Sequence, residues 1–168
     1  MNGNTFFKTA CSAIITLLLL SGCNNDVDNG LVTSIHMRDK FNQTEDTFAP
    51  GDEINMTLSI KNDSTSEKTL SFSDNYQYDF VIKDATETEI WRWSTTGLAP
   101  KDIATSISLG PTDIQTVTYT WDQNITPKTL ATENDPEIPA VPISEGNYTL
   151  EAYFIDYGPV AQTPLTIQ

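Results

Sequence analysis

The 168-residue sequence predicts an all-β fold, an antiparallel β-sandwich of about eight strands. Three observations lead there. Apolar side chains recur at every second position, the period of a strand with one face on a core and one in water. These short runs are separated at regular spacing by Gly, Pro, Asn and Asp clusters that turn the chain. Beyond the first 22 residues no stretch carries the 3.6-residue period of an amphipathic helix.

Each strand has its own signal. A first strand is expected over 31–38. Ala49-Pro50-Gly51-Asp52 makes a turn, and 53–62 follows with Ile54, Met56, Leu58 and Ile60 on one face and Asn55, Thr57, Ser59 and Lys61 on the other. Asn62-Asp63-Ser64 turns the chain again. Leu70 and Phe72 mark a short strand. Tyr76, Tyr78, Phe80 and Ile82 then alternate with Gln77, Asp79, Val81 and Lys83, and 89–95 returns as the second arm of a hairpin. Ile103, Ile107 and Leu109 suggest another strand. Gly110-Pro111 turns into 112–121, where Val117, Tyr119 and Trp121 share a face. Segment 124–142 carries Pro127, Pro136, Pro139 and Pro142 and is expected to be a long exposed loop, since proline cannot donate to a central ladder. Two strands close the sequence, 147–156 and 160–167, the last at a sheet edge because of Pro159 and Pro164.

The first 22 residues stand apart. Lys8 gives a small positive start, and 13–20 is apolar except for Thr16. That run is shorter than the ~20 residues a bilayer span needs and fits the core of an export signal. Leu20-Ser21-Gly22-Cys23 resembles the lipobox of bacterial lipoproteins. The implied organisation is a signal peptide at 1–22, a lipidated tether at 23–30 and a β-sandwich at 31–168. The thiol of Cys23 is the atom that would take the diacylglyceryl group. Asn24, not aspartate, follows it, which favours the outer membrane in a two-membrane host. The chain is thus expected in the cell envelope, outside the cytoplasm, held to the membrane by its N-terminal lipid.

The remaining counts exclude several kinds of chemistry. Cys11 leaves with the leader, so Cys23 is the one cysteine of the 146-residue mature chain and no internal disulfide is open to it. Eight basic against 23 acidic side chains give that chain a formal charge of −15, which opposes binding to nucleic acid. His36 is the single histidine, too few for a zinc site or for catalytic alternatives, and no serine sits in a nucleophile elbow. No enzyme activity, metal or cofactor is expected.

Trp91 and Trp93 share a strand face, with Arg92 on the other. They suit a core, where each buries about 200 Å², or a binding platform that includes Arg92; the burial gain favours the core. Ser144-Glu145-Gly146-Asn147-Tyr148 resembles the tyrosine corner of Ig-like sandwiches.

Taken in order, Ala49-Pro50-Gly51-Asp52, the Asn62 turn, Tyr78-Asp79-Phe80, Trp91-Arg92-Trp93-Ser94, Leu109-Gly110-Pro111 and Trp121 resemble the BsuPI family of intracellular proteinase inhibitors. The resemblance spans about 45–123, with Gly146-Asn147-Tyr148 as a further match. It implies an Ig-like sandwich and an inhibitor of subtilisin-type serine proteases. The matching residues read as structural, and none marks a reactive bond. Two departures stand out: the export signal, and the length of the Pro-rich segment. Prolines hold an extended backbone at low entropic cost, the shape a protease cleft accepts. Within that segment Leu130-Ala131 and Ala140-Val141 are candidate protease-contact bonds, and 97–102 is a rival loop. The alternative is an Ig-like binding or structural module of the envelope that uses a flat face or sheet edge.

Overall fold

The computed structural model describes residues 30–96, 103–125 and 140–168, the side chains of Gly158 and Pro159 excepted. The described residues hold ten strands: β1 (Leu31–Arg38), β2 (Thr47–Phe48), β3 (Ile54–Asn62), β4 (Lys68–Phe72), β5 (Tyr78–Asp84), β6 (Glu89–Arg92), β7 (Thr105–Leu109), β8 (Ile114–Trp121), β9 (Gly146–Phe154) and β10 (Tyr157–Ile167). They form a three-stranded sheet in the order β1-β3-β8, a five-stranded sheet in the order β2-β10-β9-β5-β6, and a β4-β7 pair. All pairings are antiparallel except β2 with the end of β10.

The order is that of an Ig-like sandwich. β1, β3 and β8 take the places of strands A, B and E; β10, β9, β5 and β6 take those of G, F, C and C′. The tyrosine corner is present at the entry to β9, where the Tyr148 hydroxyl donates to the Ser144 carbonyl at 2.8 Å. Gly146 supports it: a Cβ there would lie 3.4 Å from the Tyr148 hydroxyl oxygen.

The core lies between the two large sheets. Ile54, Met56, Leu58 and Ile60 of β3 are fully buried and face Phe80, Ile82, Leu150, Ala152 and Phe154 of the other layer within one cluster. Their outward neighbours Asn55, Thr57, Ser59 and Lys61 stay half-exposed, and Asn62 ends the buried inward row, so strict alternation in sequence became strict alternation in burial.

Several expectations need correction. β2 has only two residues and no alternation, which is why sequence periodicity missed it. β10 begins three residues earlier than expected, and β2 flanks its last two residues; Pro164 is tolerated because β10 has a strand on one side only at that point. The hairpin return stops at Arg92: Trp93–Thr95 forms a 3-10 turn, and Thr95 and Thr96 close it with hydroxyl bonds to the Arg92 and Trp93 carbonyls. Tyr76 precedes β5 in a turn built on Asp74, and Ile103 lies outside β7, exposed. β5 is buried on both faces: Phe80 and Ile82 belong to the core, and the outer residues Asp79 and Val81 are 3% and 1% exposed.

Candidate functional site

The two motifs that stood out in the sequence meet on the outer face of the five-stranded sheet. Asp79 on β5 is 3% exposed and fully engaged. Its Oδ1 accepts the N–H groups of Phe80 at 2.9 Å and Ser94 at 3.0 Å; its Oδ2 accepts the Ser94 hydroxyl at 2.8 Å and Arg92 Nη1 at 2.6 Å. Arg92 Nη1 also donates to the Tyr153 hydroxyl at 2.7 Å, while Nε and Nη2 fork onto Glu89 at 3.0 and 2.6 Å. Glu89, then Asp79 and Tyr153, hold the guanidinium above its ordinary pKa, and Arg92 in turn holds the Glu89 carboxyl below its own. Each polar group is satisfied within the fold, and Asp79 is the hub that ties the 3-10 turn to β5. Its role within the described residues is architectural.

The tryptophans complete it from inside. Trp91 is buried and packs on Trp121 and Tyr119, with ring centroids 5.3 and 5.8 Å apart. Trp93 is half-buried, stacked on Tyr78 at 4.7 Å with Tyr76 edge-on at 5.5 Å. The core reading holds for Trp91, which is buried together with Trp121, whereas Trp93 is only partly buried and packs against that core.

The second locus is the base of the Pro-rich segment. Residues 126–139, including Leu130 and Ala131, lie outside the described residues, as do Cys23 and the rival loop 97–102. The two ends of the segment are placed. Asn124 and Pro142 form an antiparallel bridge. The Ile125 N–H donates to the Val141 carbonyl at 2.8 Å, and the Ile143 N–H donates to the Gln123 carbonyl at 2.7 Å. Trp121 Nε1 donates to the Asn124 carbonyl at 3.0 Å. Ile143 is buried and Ile125 packs against the core. Gln123 is 1% exposed, and its side-chain amide fastens the base to the preceding turn: Nε2 donates to the Ala49 carbonyl at 2.8 Å and Oε1 accepts the Gly51 N–H at 2.9 Å. Gly51 has φ +84°, so the turn that offers this N–H needs a glycine.

Ala140 and Val141 are thus exposed residues of a paired stem, Val141 at 48%. Gln123 went unnoticed in the sequence. It sits in a polar Asp-Gln-Asn run with no periodicity, and nothing local links it to a turn over 70 residues away.

Among the described residues no group of three or more His, Cys, Asp or Glu side chains is placed to hold a metal ion.

The family model described as BsuPI, intracellular proteinase inhibitor, matches residues 41–157. The chain belongs to the BsuPI family. The match takes in the Asp79 hub, the tryptophan cluster and the whole stem. No curated protein matches the chain. Among solved structures, this BsuPI chain is similar to a β-glucosidase from Erythrobacter marinus, at 11% identity, TM-score 0.45 and 82% of this chain against 15% of that one. A β-glucosidase from Listeria innocua gives 11% identity, TM-score 0.42 and 80% against 16%. The CARDB domain of a Pyrococcus furiosus protein, solved with two metal ions, gives 13% identity, TM-score 0.39 and 83% against 90%. The BsuPI chain spans about a sixth of each glucosidase chain. Likenesses at this level assign neither activity nor ligand.

Proposed function

We propose that this BsuPI protein is a lipid-anchored inhibitor of subtilisin-type serine proteases in the cell envelope, and not an enzyme. Membership of a proteinase-inhibitor family supports a protease as partner. The observation that carries the reading is the stem: a Pro-rich segment is held at both ends by backbone pairing and by Gln123, as a protease-facing loop needs. Pre-fixed ends reduce the ordering entropy lost on binding. The stem also ranks the candidate bonds. Val141 already pairs with Ile125, so its backbone enters a protease cleft only by breaking the stem. Leu130-Ala131 lies beyond the stem in sequence and is the better contact.

The test is incubation of the purified protein with subtilisin, followed by activity and fragment analysis. Inhibition is expected. Replacement of 126–139 by a short Gly/Ser linker should leave the sandwich folded and abolish inhibition. Retained inhibition would transfer the contact to 97–102. Rapid cutting without inhibition would retract the reading.

A second reading, an Ig-like binding or structural module, draws on the outer face of β1-β3-β8. Ser34, Ser59 and Thr116 lie in one row and Thr57 and Thr118 in the next, with Thr57 and Thr118 hydroxyls 2.9 Å apart. Such a flat hydroxyl face suits polar docking, and the subtilisin experiment separates the two readings.

A further inference from the structure

The turn after β1 displays the most exposed large apolar side chain among the described residues, Phe41 at 70%. A lone exposed apolar residue is ordinary; what sets Phe41 apart is the bracing of its turn. Arg38 and Thr44 form an antiparallel bridge, the Glu45 N–H donates to the Met37 carbonyl at 3.2 Å, and the Asp39 N–H donates to the Gln43 carbonyl at 2.9 Å. Inside the turn, Asp39 Oδ1 accepts the N–H groups of Phe41 at 2.9 Å and Gln43 at 2.7 Å. Arg38 Nη1 donates to Asn42 Oδ1 at 2.8 Å. Asn42, at φ +66°, takes the left-handed conformation that asparagine tolerates better than most residues. The turn is also moored to the sheet: Asn55 Nδ2 donates to the Asp39 carbonyl at 3.3 Å, and Thr120 Oγ1 donates to Asn55 Oδ1 at 2.7 Å. The backbone at Phe41 is thus set before any partner arrives, and its ring stands in water with Lys40 Nζ 5.4 Å from the centroid.

The turn is also well placed. Arg38 pairs with Asn55, and the neighbouring residue of β3, Ile54, pairs with Trp121. Phe41 therefore stands at the same end of the sandwich as the Asn124–Pro142 bridge, where Val141 is exposed as well. We infer that Phe41 is an anchor for the protease, seating its ring in an apolar pocket of the enzyme's cleft. The inference rests on the inhibitor reading and adds a contact separate from the Pro-rich segment. A few anchor side chains that fill pockets carry most of the affinity of an interface. A pre-set turn delivers such a side chain at little ordering cost. Membership of a proteinase-inhibitor family, whose match includes Phe41, favours a protease over a second copy of this chain as the occupant.

The test measures inhibition of subtilisin by the purified protein, by Phe41→Ala and, as a control, by Ile114→Ala. Ile114 is 59% exposed and pairs with Lys61, towards the opposite end of β3. Phe41→Ala should raise the inhibition constant by a factor of at least about ten, the loss typical of an interface anchor, and leave the urea midpoint unchanged. Ile114→Ala should inhibit like the parent. If Phe41→Ala does not fold, Phe41→Gln carries the same comparison. Inhibition by Phe41→Ala equal to that of the parent would overturn the anchor and leave the inhibitor reading standing, as would an equal loss in Ile114→Ala. Sedimentation showing a parent dimer that Phe41→Ala dissolves, with inhibition unchanged, would give the ring to a second copy instead. A parent that fails to inhibit would retract the inhibitor reading and the anchor together.

Discussion

The buried carboxylate of Asp79 accepts both the backbone N–H and the hydroxyl of Ser94, at 3.0 and 2.8 Å, and so fixes the 3-10 turn to β5 of the five-stranded sheet. Asp79→Ala would leave the Ser94 groups unpaired and one Arg92 contact empty. It should destabilise the fold by about 2–3 kcal/mol, the cost of leaving buried donors without a partner, since Arg92 keeps Glu89 and Tyr153. Ser94→Ala should lose only about 1 kcal/mol, the net value of an ordinary hydrogen bond. Urea denaturation followed by circular dichroism measures both, and equal effects would remove Asp79 from the centre of the network.

The two tryptophans should separate in the same assay. Trp91, 4% exposed against Trp121 and Tyr119, should lose about 3–5 kcal/mol on change to alanine. That is a large share of a marginal domain's stability. Trp93→Ala should lose clearly less, since the ring is half-exposed on a 3-10 turn. A Trp91→Ala protein as stable as the parent would contradict the packing.

Acid should destabilise the protein through two groups in turn. Burial, then the Arg38 charge, lowers the His36 pKa, and Arg92 lowers that of Glu89. A depressed folded-state pKa gives stability that is present above the unfolded value and lost as pH falls through the folded one. The His36 contribution should fade below about pH 6.5 and that of Glu89 below about pH 4.3. His36→Gln should flatten the upper part of the urea midpoint's pH dependence, and Glu89→Gln the lower part. Unchanged slopes in both variants would show that other groups govern acid unfolding.

Anchoring at Cys23 is checked chemically. Cells fed labelled palmitate should mark the wild-type protein and not Cys23→Ala, which should persist as precursor or leave the membrane fraction. Mass spectrometry showing an unlipidated wild-type N-terminus would end the lipoprotein reading.

Most of the sandwich was legible because burial on β3 follows the sequence alternation residue by residue, from Ile54 to Ile60. The Tyr148 corner was legible for a similar reason: a Gly and a Tyr at close spacing make a local contact. What escaped is non-local. β2 exists because β10 lies beside it, not because Thr47 and Phe48 form a pattern. Trp93 packs against the core but leaves the strand, since the Asp79–Ser94 bonds favour a turn over a continued ladder. Gln123 belongs with these, because a side-chain amide that meets backbone groups more than 70 residues away leaves no trace in periodicity.

The register of β3 has a consequence for reach. Leu31 pairs with Asn62 at one end of that strand and Trp121 pairs with Ile54 at the other, so the chain enters the sandwich at the end opposite the stem. A strand of eight residues is roughly 25 Å long. Leu31 and the Asn62 turn therefore lie at one end of the sandwich, and the Asn124–Pro142 bridge lies at the other. An enzyme that engaged the stem would therefore meet the end of the sandwich away from the one where the chain enters β1.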